Sequence, residues 1–298
     1  MTLFSSKDSR HSLKTAFLIT IVPVLMLLMV VYSIWLIMVM NHSFFVANGF
    51  PLSDESLADF FNYVFQSQIE YIPYIGLFLI VVFFVGIIVS HIILRPFHQL
   101  TQMCQDLKEG HDIKTKVSGL EKQKLLIKLG YFLSDFSKAK KDNKAVSVPD
   151  DLKKVTGPIM DKVFYFQFLC VMFIISFITI TSLYIFTYQL FDSVVVSGIS
   201  MLKSSSSAAG IKGMTYFFNS QENLIDYVII IPSVISLILY LIIARLLISN
   251  IQGVTYAYVR DICDAASGQN SKRIRPRQDD PGKEAADAVN QVLDQINI

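Results

Sequence analysis

Apolar residues are grouped along this chain on two scales. On the longer one, four apolar runs occupy residues 15–40, 72–94, 163–190 and 227–248. A helix rises about 1.5 Å per residue, so each run can cross a hydrocarbon layer about 30 Å thick. The only charged or imidazole side chains inside them, His91 and Arg245, sit near the ends, where they can snorkel to the headgroups. On the shorter scale, apolar positions step 3, 4, 3 in the polar segments after the second and fourth runs. The first such segment carries Phe97, Leu100, Cys104 and Leu107, then Leu126, Leu129, Leu133 and Phe136. The second carries Thr255, Tyr258, Ile262 and Ala265, then Ala286, Val289, Leu293 and Ile296. This spacing lays each set along one face of a helix, the pattern by which helices bury a seam against partners. The reading is an all-α integral membrane protein with four transmembrane helices in two repeats, each repeat followed by a cytoplasmic helical hairpin.

Composition and charge sharpen this picture. Hydrophobic residues make up 53% of the 298 and charged residues 17%, against about 25% charged in ordinary soluble chains. The net charge of +2 gives no basic excess for nucleic acid, but the cations are segregated. Residues 1–14 hold three Lys and Arg, 41–71 none, 95–162 fourteen, 191–226 two, and the part from Arg245 onward seven. Cytoplasmic loops carry the excess, so both termini are expected inside and residues 41–71 and 191–226 outside, as short outer loops. The first run is longer than the h-region of about 7–15 residues in a secretory signal and is expected to remain as an anchor. Three cysteines are too few for a disulfide framework.

A repeated plan emerges from the spacing. Phe60-Phe61-Asn62 returns as Phe217-Phe218-Asn219 at an offset of 157, and Ile69-Glu70-Tyr71 as Ile225-Asp226-Tyr227 at 156. The first-helix stripes and the pair Gly110/Gly268 share an offset of 158, the second-helix stripes 160. Residues 1–94 are read as the first transmembrane pair, 95–140 as the first cytoplasmic hairpin, 141–158 as a polar linker, 159–248 as the second pair and 249–298 as the second hairpin. Phe60, Phe61, Phe217 and Phe218 are candidate contact residues of the outer loops, lying on the membrane, on one another or on a partner.

The two cytoplasmic segments resemble HAMP linker domains, which join transmembrane helices to output domains in bacterial chemoreceptors and sensor kinases. The first copy carries the resemblance in Arg95-Pro96-Phe97 and Gly110, the second in Gly268, Asp280, Gly282 and Glu284. The first copy departs at its second turn, Ser118-Gly119-Leu120-Glu121, and the second has Val254 where the proline would stand. The resemblance implies a four-helix bundle of two hairpins. Because one chain carries both, a bundle formed within the chain, a pseudo-dimer, is expected; pairing between chains is the other arrangement.

Chemistry is sparse. The sequence holds no Gly-x-x-x-x-Gly-Lys-Ser/Thr phosphate loop, no His-Glu-x-x-His or paired-cysteine metal spacing and no Gly-x-Ser-x-Gly elbow. Neither catalytic residues, metal nor cofactor is expected. Two uses suit the pattern: a regulator of a bacterial inner membrane relaying a membrane or partner signal to a separate output protein, or a structural subunit of a motility or secretion apparatus. A transport component is a third reading, weakened because no carboxylate lies inside a span. Membrane lipid, a protein partner supplying the output, and self-association are the expected contacts.

Overall fold

The computed structural model describes residues 8–47, 58, 62, 65–66, 69–111, 113, 121–142, 146–153, 161–205, 208–268, 273–275 and 281–296. Among these, regular structure is entirely helical. Four helices dominate: α1 (Asp8–Ala47), α2 (Ile72–Lys108), α5 (Lys162–Ser205) and α6 (Ala208–Ala266). Between α2 and α5 lie a 3-10 turn (Glu121–Gln123), α3 (Leu125–Lys141) and the single turn α4 (Asp150–Lys153); α7 (Lys283–Gln295) closes the order. All four long helices have the length and hydropathy to cross a membrane, which makes this a multi-pass membrane protein.

In the apolar stretches large apolar side chains face outward as well as inward, and hydroxyl groups lie between helices. Phe84, Ile88, Phe173, Phe177, Ile238 and Leu246 are exposed, while Ser90, Ser176, Thr179, Thr187 and Ser236 are buried. In lipid, apolar side chains lose nothing by facing outward, and helices associate through small and hydroxylated residues that allow close approach. Gly86 and Ala16 are such a pair: a Cβ added at Gly86 would lie 2.5 Å from the Ala16 Cα. Beside them Ser90 Oγ donates to Ser12 Oγ at 3.0 Å, and His11 Nδ1 lies 3.3 Å from Ser90 Oγ.

The chain divides into two compact units assembled from non-consecutive segments. One comprises residues 18–84 and 173–241. Its apolar core includes Val30, Ile34 and Met38 of α1 with Leu190 and Val194 of α5. α2 meets α5 where the Tyr71 and Phe186 rings pack edge to face at 6.4 Å. Two polar ties reach α6. The Gln221 amide donates to the Asn41 side-chain oxygen, both residues buried. Tyr240 Oη lies 3.1 Å from Thr179 Oγ1 and donates to the Ile19 carbonyl at 3.5 Å. That carbonyl is the one Pro23 leaves open, since proline offers no N–H to residue i−4. Prolines persist inside transmembrane helices when a neighbour re-satisfies the freed group, and Tyr240 does so here.

The other unit comprises residues 1–17, 85–172 and 242–298. It contains every stripe recognised in the polar segments and is described below.

Three features add to the sequence reading. Residues 191–226 are helical except at 206–207, which lie outside the described residues: α5 runs to Ser205 and α6 begins at Ala208. The charge count makes this stretch an outer loop, but no proline interrupts it, and buried Phe191, Val194 and Ile225 give a helix reason to continue past the span. Arg95-Pro96 and Ser249-Asn250, where the second and fourth apolar runs give way to the polar segments and a hinge would be expected, lie inside unbroken helices. A proline removes one helical hydrogen bond, and buried neighbours on both sides of Pro96 hold the axis. Finally, the 141–158 linker is partly packed: Val148 and Leu152 are buried, and Lys128 Nζ reaches Asp151 at 3.1 Å.

Candidate functional site

Helices α3 and α7, of 17 and 13 residues, are near or below the length at which isolated helices are marginal in water. They must bury their stripes. Phe97, Leu100, Cys104, Leu126, Leu129, Leu133, Phe136, Tyr258, Ile262, Ala265, Val289 and Leu293 are all buried, and Leu107 and Ile296 are half-buried. Thr255 and Ala286 are buried as well.

Named contacts join helices of both hairpins. Within the first hairpin, a Cβ added at Gly130 of α3 would come 2.7 Å from Met103 Sδ and 3.3 Å from a Leu100 methyl, both on α2. Between hairpins, the Phe97 ring of α2 packs edge to face on Tyr258 of α6 at 5.9 Å. Within the second, Tyr258 Oη donates to the Gly282 carbonyl at 2.6 Å, fixing the start of α7. Phe97 also lies against the space a Gly282 side chain would need. Phe97, Tyr258 and Gly282 thus form one knot tying α2, α6 and the entry to α7. Further out, Lys108 Nζ of α2 donates to Gln291 Oε1 of α7 at 3.1 Å.

The glycines mark where these helices turn. Gly110 and Gly268 have φ of +75° and +72° with nothing within 4 Å of an added Cβ, so backbone conformation alone calls for glycine there. Gly110 N–H donates to the Leu107 carbonyl at 3.1 Å and His111 N–H to that of Asp106 at 3.0 Å, the Schellman closure of a helix end. Gly268 N–H makes the corresponding bond to Ala265 at 3.2 Å. Gly282, at φ +83°, is the N-cap of α7, and both its conformation and the Phe97 ring exclude a side chain. Arg95 and Glu284 are exposed, and Pro96 is buried. Asp280 lies outside the described residues, as do Phe60 and Phe61. Phe217 and Phe218 belong to α6, but their side chains are outside the description.

Two polar side chains add further anchors. Asp161 accepts the N–H of Leu125 at 2.8 Å through one oxygen and that of Phe164 at 2.9 Å through the other. One carboxylate therefore caps the first turns of α3 and α5, each an end with unsatisfied donors and positive dipole. An acidic residue just before a long apolar run signals a helix start, so its service to α5 is readable, whereas its service to α3 is not. The second anchor is Asn290 of α7, which accepts the Ile274 N–H and donates to the Ile274 carbonyl, both at 3.0 Å. It holds the connector as a β-strand neighbour would, with Ile274 buried. In the first hairpin α3 buries ten of its 17 residues, including Leu125, Ile127 and Phe132 off the expected stripe, so it packs on more than one face.

The Asp161 carboxylate, Gln252 and Thr255 also line a small crevice in this unit, together with Pro96 and Phe97. Compared with known protein families, curated proteins and solved structures, the chain matches none.

Proposed function

We propose that this protein is a non-enzymatic relay of a bacterial inner membrane. In this reading two HAMP-like hairpins, products of an internal duplication, pair within one chain as a cytoplasmic four-helix bundle and pass the state of the membrane helices to a separate output protein. Both termini face the cytoplasm, following the segregation of Lys and Arg. The observation that carries the reading is the Phe97–Tyr258–Gly282 knot, which couples helices of both hairpins at the point where α2 and α6 leave their apolar stretches. Continuity supports it too: α2 runs unbroken through Leu94, Arg95 and Pro96, so a rotation at one end is carried to the other.

The test starts from the tagged native chain extracted gently from its own membranes. A kinase, cyclase or response-regulator-type protein retained in near-equal amount would name the output. Inserting one residue between Leu94 and Arg95 turns everything beyond by about 100°. The relay is then expected to lock the output on or off with the partner still attached. Loss of the partner with no change of output state would instead mark the bundle as a docking surface of an envelope machine. Neither effect would end both readings.

A further inference from the structure

A crevice of about 410 Å³ between α2 and α5 is a feature that the relay does not use. Its size falls within the range of about 300–1,000 Å³ typical of small-molecule pockets. The crevice is graded. Tyr71, Tyr74 and Gln189 line it together; Leu27 lines it as well, with Phe78 and Ser182 one to two turns further along α2 and α5. From Tyr71 to Phe78, and equally from Gln189 to Ser182, is seven residues, so the cleft runs about 10 Å along each helix. Both walls belong to helices with membrane-crossing hydropathy, so the medium at its mouth is lipid rather than water.

Charge at the polar end narrows the occupant. Glu70 precedes Tyr71, and Asp192 stands one turn beyond Gln189 on the same face of α5; both are exposed. Segment 41–71 has no Lys or Arg to offset Glu70, and the lysines of 191–226, Lys203 and Lys212, come eleven and twenty residues after Asp192. Carboxylates here repel an anionic headgroup and attract an ammonium, while the tyrosine hydroxyls and the Gln189 amide can donate to ester carbonyls. We propose that the crevice binds one zwitterionic glycerophospholipid, an acyl chain between α2 and α5 and an ammonium-bearing headgroup at Glu70 and Asp192. This assignment stands independently of the relay reading, and its test does not depend on finding an output.

The full chain is reconstituted in nanodiscs containing phosphatidylethanolamine with a diazirine on one acyl chain, then irradiated. Label is expected to concentrate in peptides covering 71–78 and 182–189, and Ser182→Phe, which fills the cleft, removes it. Unlabelled phosphatidylethanolamine is expected to compete about tenfold better than phosphatidylglycerol, the difference two nearby surface charges supply. Glu70→Gln with Asp192→Asn, both at exposed positions, erases that preference even if the cleft-filling variant fails to fold. Label spread evenly over outward residues such as Val81 and Phe84 would overturn the site, as would label surviving in a folded Ser182→Phe protein. Equal competition by the two lipids would overturn the headgroup assignment.

Discussion

Two tyrosines of α6 do the same job in different surroundings. Tyr240 and Tyr258 are both essentially fully buried, at 1% and 0% exposure, and each hydroxyl donates to a main-chain carbonyl of another helix or its cap. Around Tyr258 the carbonyl belongs to Gly282, a left-handed residue that starts α7, and the bond is short at 2.6 Å. Around Tyr240 it belongs to Ile19, opened by Pro23 within α1, and the bond is long at 3.5 Å. The first anchor is built from a turn and a ring packed to fit it; the second repairs a gap. An aromatic hydroxyl reaching out of a packed helix seam can therefore fix a helix entry or tolerate a helix break, and the partner backbone decides which.

The strongest way to break the Tyr258 anchor is Gly282→Ala. A left-handed conformation costs an L-residue about 1–2 kcal/mol, and forcing a methyl into a packed site about 1–3 more. A combined loss of about 3 kcal/mol is expected. Cys104 provides a local gauge: it is buried in this unit at 1% exposure, and buried apolar thiols are inert to alkylation. If opening of the bundle limits the reaction, maleimide labelling of Cys104 in Gly282→Ala should rise about a hundredfold. Adding Phe97→Leu should recover the steric part but not the conformational part. Unchanged Cys104 labelling would mean that the knot does not hold the unit together. Gly268→Ala, where only φ is at issue, should raise it about tenfold.

Asp161 makes a third kind of anchor, with a carboxylate where the second hairpin uses glycine and tyrosine. Each N-cap is worth about 1 kcal/mol, so Asp161→Ala is expected to cost about 2 kcal/mol by releasing α3 and α5 together. Thermal unfolding in detergent should fall by about 5 °C for a unit of this size. Asp161→Asn offers one acceptor oxygen and puts a donor in place of the other, so it should retain at most one cap and lose at least half as much stability as the alanine. An alanine variant no worse than the asparagine would show that one of the two bonds carries no energy.

Those contrasts explain how far the sequence can be read. The four spans and four stripes are periodic, local signals, and Gly110 and Gly268 stand out because a helix end needs a left-handed residue. The buried stripe positions follow from the same periodicity. Asp161 capping Leu125 is invisible, since it joins residues 36 apart in sequence with no pattern linking them. The second buried face of α3 escapes for a related reason: a 3, 4, 3 stripe describes packing against one seam, and a helix held on two sides needs residues such as Ile127 and Phe132 that fall off it. Residues 191–226 read as a loop from their low Lys and Arg count and their place between spans, although no proline breaks a helix there. The Tyr240–Ile19 tie needs the three-dimensional pairing of α6 with α1; sequence offers only the carbonyl under Pro23 in want of some partner.

That last tie can be isolated by a double-mutant cycle. Tyr240→Phe removes a donor from the Ile19 carbonyl in surroundings without water, and an unmet buried polar group costs about 1–3 kcal/mol. The 3.5 Å bond sets the effect near the low end, about 1 kcal/mol. Pro23→Ala supplies the missing N–H within α1, so Ile19 no longer depends on Tyr240. Whatever else the alanine does to the bend of α1, the cycle subtracts it. Tyr240→Phe should therefore cost about 1 kcal/mol with Pro23 present and close to nothing in the Pro23→Ala background, whereas Tyr258→Phe, which gives up a 2.6 Å bond, should cost about 2 kcal/mol in either background. A zero coupling between positions 23 and 240 would leave Thr179, 3.1 Å away, as the partner that matters to Tyr240, and the hydroxyl would then tie α6 to α5 rather than mend α1.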